Sequence, residues 1–232
     1  MVVAVRRVAG CRAALIALAS LVTGACQAPC GPSQFAYGAG ASCRTVETDD
    51  LASLETSLDP LREAFDQHCD VPRMVVLMPH VGCERGAEIL RSEVLDAHAD
   101  RDLRLFVIWQ DLVPNPDVNA ARRASRSLDD PRVITFHDCS GLAGRAFACG
   151  NLPVAQAREV FLFYPAGMRW PSVGARRTAS AVGGTPRTDK WIHQLGRVAP
   201  ERFCTPEELP AAIRATMGRL LRDVEATHTV GL

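Results

Sequence analysis

Two histidine–cysteine pairs hold the residue types that could do chemistry in this chain. His80 precedes Cys83 by three residues, and His137 precedes Cys139 by two. Cys83 follows an apolar run and opens a stretch with helical spacing, so its thiol is expected at a helix start. There, unpaired backbone N–H groups and the positive end of the helix dipole favour thiolate. Arg85 would add to that effect and Glu84 would oppose it. His80, on the same turn, is placed to act as a base or as an imidazolium partner to Cys83. Otherwise, a histidine on such a turn is simply an exposed loop residue.

The same four residues could instead ligate a soft metal. His80 and Cys83 lie at the carboxyl end of one expected strand, and His137 and Cys139 at the end of another, so all four should emerge on one sheet edge. Sulfur and imidazole suit Zn or Cu(I). If one strand lies between them, the two pairs start roughly 10 Å apart, which argues against shared coordination. No metal and no cofactor are therefore expected.

These residues need a scaffold, and the central pattern supplies one. Met74–Met78 and Leu103–Trp109 are continuous apolar runs of the kind that strands buried on both faces show. Between them Ala87, Leu90, Val94 and Ala97 mark the inner stripe of a helix. Such a β-α-β unit implies parallel neighbours with a right-handed crossover. A helix over 117–128, a strand over Arg132–Phe136 ending at His137-Asp138, and a short helix near Leu142–Phe147 follow.

Val160–Tyr164 and the turn Pro165-Ala166-Gly167 predict a hairpin returning through Trp170. Residues 171–190 read as a long irregular loop. Thr205-Pro206-Glu207-Glu208 is a capping box ahead of a helix whose apolar face is Leu209, Ile213, Met217, Leu220, Leu221 and Val224. Upstream, Leu51, Leu54, Leu58, Leu61 and Phe65 have helical spacing with Asp59-Pro60 in their midst, which predicts two short helices or one kinked helix.

The N-terminus carries a targeting signal. Arg6, Arg7 and Arg12 precede the apolar run Ala13–Val22, too short to span a bilayer, which ends in Thr23, Gly24 and Ala25. Cys26 then stands where a bacterial lipoprotein carries its lipid, and it is the candidate lipidation site. Ordinary cleavage after Ala25 or Ala28 is the other outcome. The chain thus divides into a signal peptide (1–25), a flexible tether (26–48) and one α/β domain (49–228). It is expected to be exported to the cell envelope and held at the membrane by its lipid.

Export changes how the cysteines read, because thiols outside the cytoplasm tend to pair. Of the nine, Cys11 leaves with the signal and Cys26 would carry lipid. Three bridges among the remaining seven would leave one thiol, and several could equally be small buried residues. The 26 basic and 26 acidic side chains cancel, leaving no overall field to attract nucleic acid. No GxGxxG, Walker, H-E-x-x-H or G-x-S-x-G pattern is present, which counts against nucleotide, zinc-protease and serine-hydrolase chemistry.

The segment Val75-Val76-Leu77-Met78-Pro79-His80-Val81-Gly82-Cys83-Glu84-Arg85-Gly86, with V-I-T-F-H-D at 133–138 and F-L-F-Y-P-A-G-M-R-W at 161–170, resembles thioredoxin-like proteins of the redoxin type. The resemblance covers roughly residues 70–225. It implies a thioredoxin-like α/β fold, a central mixed sheet flanked by helices, with Cys83 as the attacking thiol and protein or small-molecule thiols and disulfides as partners. The second cysteine of that family's C-x-x-C is replaced by Gly86, and Ala157-Arg158-Glu159 stand where a proline precedes the first hairpin strand. A single-thiol redox activity is what this leaves, with His80 assisting and Cys139 as the candidate resolving thiol. The alternative is a non-catalytic binding module, with Trp170, Trp191, His193 and Gln194 lining its recognition surface, or with Trp191-Ile192 packed on the core instead.

Overall fold

The computed structural model describes residues 51–82, 84–111, 117–171 and 184–229. Cys26 and Cys83 lie outside these. The elements in order are β1 (Ala52–Ser53), α1 (Asp59–Gln67), β2 (Arg73–Pro79), α2 (Glu84–Leu90, continued by a π-helical turn Arg91–Asp96), β3 (Arg104–Gln110), α3 (Val118–Arg126), β4 (Val133–Asp138), α4 (Leu142–Asn151), β5 (Val160–Tyr164), β6 (Trp191–His193) and α5 (Leu209–Thr229). The six strands form one sheet in the order β1-β4-β3-β2-β5-β6. β1, β4, β3 and β2 run parallel, whereas β5 and β6 are each antiparallel to the preceding strand in that order. This mixed sheet with helices on both faces is a thioredoxin-like α/β fold, and β2, the strand leading to Cys83, is central in it.

Alternation along the strands divides the core in two. Met74, Val76, Leu105, Val107 and Trp109 face α2, α3 and α5. Val75, Leu77, Phe106, Ile108 and Phe136 face α1 and α4. All strand residues from Leu105 to Trp109 have no exposed surface, as parallel strands covered on both faces require. The capping box forms as expected: Thr205 N–H donates to Glu208 Oε2 (3.0 Å) and Glu208 N–H donates to Thr205 Oγ1 (3.3 Å). From it α5 lays Leu209, Ile213, Met217, Leu220 and Leu221 on the sheet.

Several local expectations are corrected. Residues 51–58 do not form a helix: Ala52 and Ser53 pair beside Phe136 and His137, and Leu54 N–H donates to the His137 carbonyl (2.8 Å). Leu54 is fully buried from this strand edge, so helical spacing arose where an edge strand meets a helix. In the helix after Cys83, the π turn places both Val94 and Leu95 inward and leaves Ala97 exposed, since each wider turn takes an extra residue.

The hairpin partner of β5 is Trp191–His193 rather than Met168–Trp170. Arg73 is one cause. Its guanidinium is fully buried and donates to the carbonyls of Phe65 (2.7 Å), Pro165 (3.2 Å) and Met168 (2.6 Å). Those bonds hold the 165–168 turn against the end of α1, while Trp170 packs edge-on against Phe65 and Phe147. Part of the expected loop 171–190 is also core: Thr185 is buried and the Pro186 carbonyl accepts the Tyr164 hydroxyl (3.2 Å). Trp170, Trp191 and His193 are all buried, so they support the fold and offer no recognition surface.

Candidate functional site

Parallel strands end on one edge, and the residues just past β2 and β3 meet the last residues of β4 there. Pro79 pairs beside Gln110 and Gln110 beside Asp138. Parity then separates two groups. His80, Asp111 and His137 share the α2/α3 face, while Gln110 and Asp138 share the α1/α4 face.

On the first face Asp111 lies between two histidines. Its Oδ1 is 3.0 Å from His80 Nδ1, and its Oδ2 is 3.0 Å from His137 Nε2. All three side chains are at most 2% exposed. His80 Nδ1 also lies 3.2 Å from the Gln110 carbonyl, and Asp117 N–H donates to Asp111 Oδ1 at 3.4 Å. Burial by itself would raise the Asp111 pKa, but the hydrogen bonds from His137 and His80 outweigh it and hold the carboxyl well below the usual carboxylate range. The bond to Asp111 correspondingly raises His80, against the opposing effect of burial. His80 is thus no exposed loop residue, contrary to the simpler sequence reading.

On the opposite face Asp138 serves the start of α4. Its Oδ1 accepts Leu142 N–H (2.7 Å) and its Oδ2 accepts Gly144 N–H (3.2 Å). Burial dominates over these bonds and pushes its pKa up. Gly144 is required at this close approach, because a Cβ there would lie 2.8 Å from the Ala157 carbonyl.

The turn toward Cys83 is shaped by Gly82, whose φ of +70° is in the left-handed region that glycine tolerates. Val81, next to it, is 68% exposed. Glu84 opens α2, and Arg85 donates to the Pro206 carbonyl (3.0 Å), tying α2 to the segment that leads into α5. Cys139 follows Asp138 at the same edge as a half-buried thiol. Across β2, Glu159 holds the position before β5 with φ +50°, a conformation that costs a non-glycine residue about 1–2 kcal/mol.

The structure therefore brings His80 and His137 together, through a residue that sequence reasoning did not single out. A signal for Asp111 was available, since it is the first residue past an apolar strand and shares the parity of Trp109. No group of three or more His, Cys, Asp or Glu side chains converges on a metal position among the described residues. Cys149 is disulfide-bonded, and Cys69, Cys139 and Cys204 are thiols. With Cys69, Cys139 and Cys204 as thiols, the three bridges considered for the seven cysteines from Cys30 onward do not form. No helix among the described residues is long and apolar enough to cross a membrane.

No family model and no curated protein matches this chain. Among solved structures it is similar to a secreted Mycobacterium tuberculosis disulfide oxidoreductase homologous to E. coli DsbE. That likeness has 17% identity over 63% of this chain and 82% of that one, with a TM-score of 0.35. The strand order, not that superposition, identifies the fold.

Proposed function

We propose that this is an exported lipoprotein of the cell envelope, anchored through Cys26, in which Cys83 performs single-thiol disulfide exchange with protein or small-molecule thiols and disulfides. The observation that supports this best is His80. Three residues before Cys83, it is buried at the end of the central strand with a carboxylate and a carbonyl on Nδ1. A histidine whose pKa is raised in this way keeps its imidazolium to higher pH than an ordinary ring, and an imidazolium favours thiolate in a neighbouring cysteine.

In the reaction, the Cys83 thiolate attacks one sulfur of RS–SR′. The Cys83–SR bond forms, the RS–SR′ bond breaks, and R′S⁻ leaves and takes up a proton. A second thiolate must then attack the mixed disulfide to release Cys83. Position 86 is glycine, so that thiol comes from outside or from Cys139, whose strand ends at the same edge. No nucleic acid, metal or cofactor takes part in this exchange.

Intact mass of protein extracted from membranes and exposed to oxidised glutathione tests both parts together. The expected species carries lipid on Cys26 and one persistent glutathionyl group, mapped to Cys83. A soluble chain starting at Cys26 without lipid, or at Pro29, would remove the anchor. Absence of a Cys83 adduct would remove the exchange reaction.

A further inference from the structure

Asp111 accepts from rings that reach it differently. His80 follows Pro79, which pairs beside Gln110, so His80 stands abreast of Asp111 and meets it with Nδ1, the ring nitrogen nearer the backbone. His137 pairs beside Trp109, two residues short of Asp111, and meets it with the distal Nε2. The neighbours of His80 Nδ1 are an ionised carboxylate and a backbone carbonyl. Neither can donate, so Nδ1 carries a proton whether the ring is neutral or charged. The same reasoning puts a proton on His137 Nε2.

We infer that Asp111 fixes the tautomers of both rings in opposite senses, leaving His80 Nε2 as the nitrogen that gains and loses a proton. Asp111 and His137 are then positioning residues that act through His80. The first consequence stands on the geometry alone, and only the second rests on the redox role proposed for Cys83. Asp117 faces the cluster from α3, where its side chain caps Ala120 N–H (2.9 Å) and lies 3.8 Å from Arg123. Asp138 is on the other face of the sheet and is occupied by α4.

Long-range ¹H–¹⁵N NMR of the ring nitrogens in the mature protein, at a pH where both rings are neutral, reads the tautomers directly. The expected result is Nδ1–H for His80 and Nε2–H for His137. Asp111→Asn keeps the shape but offers one acceptor and one donor, so one of the two rings must present a lone pair and invert. The same variant should slow Cys83 alkylation at pH 6 by about tenfold, the equivalent of one pK unit of thiolate stabilisation. His137→Gln places an amide N–H within reach of Asp111 and should keep the wild-type rate, whereas His137→Ala should not. Nε2–H on wild-type His80, or unchanged tautomers in Asp111→Asn, would overturn the inference. Tautomers as expected with Cys83 indifferent to every variant would instead overturn the redox reading and leave the assignment of Asp111 standing.

Discussion

On the single-thiol exchange proposed above, Gly86→Cys should let the Cys83 mixed disulfide resolve within the chain, raising insulin reduction by about an order of magnitude or more at micromolar external thiol. Positions 83 and 86 are three apart in sequence, the spacing that one helical turn brings together. A thiol tethered there acts at an effective concentration of about millimolar or above, far over the external supply. The steric demand is local, because a Cβ at Gly86 would lie 2.7 Å from Met78 Cε, the end of an unbranched side chain. Methionine re-packs at small cost. Gly86→Ser carries the same bulk without the thiol and should gain nothing, while Cys83→Ser should abolish both the adduct and the activity. Efficient wild-type turnover would instead reveal a distant resolving thiol, and Cys139→Ser would then remove it.

Asp111→Ala should lower stability by about 3–5 kcal/mol near pH 5.5, because it strips a buried partner from two histidines and leaves their ring N–H groups facing a cavity. The pH dependence follows from opposite shifts. Asp111 is depressed in the folded state, so its contribution is present above the unfolded value of about 3.9 and is lost as pH falls below it. His80 is raised, so its contribution is complete below about 6.5 and is lost as pH rises through the higher folded value. The difference between wild type and variant should peak between about pH 4 and 6.5 and shrink on both sides. Urea unfolding at pH 3, 5.5 and 8 measures this. An equal difference at all three would show that the carboxylate acts only by filling space.

The strands were the most legible part of the sequence. Met74–Met78 and Leu103–Trp109 are too apolar to lie anywhere but the centre of a covered sheet, and the capping box at Thr205 left little choice for α5. What escaped was set by contacts distant in sequence. The second hairpin strand could not be found from the turn at Gly167, because a buried Arg73 binds the Met168 carbonyl from 95 positions away. The apparent helix over 51–58 lost to pairing with β4. At the site, His80 and His137 were visible as residue types, but they were read as separate pairs. The carboxylate between them became apparent only once the register placed Asp111 past the strand that divides them.

The rate of iodoacetamide labelling of each cysteine in the mature protein, followed by peptide mass spectrometry from pH 5 to 9, tests the central claim most directly. Cys83 should be the fastest at pH 6, ahead of Cys69, Cys139 and especially Cys204, whose thiol is pushed up by burial. If Cys83 labels at pH 6 no faster than those thiols, it is not an activated nucleophile, and the domain is a thioredoxin-like binding module without exchange chemistry.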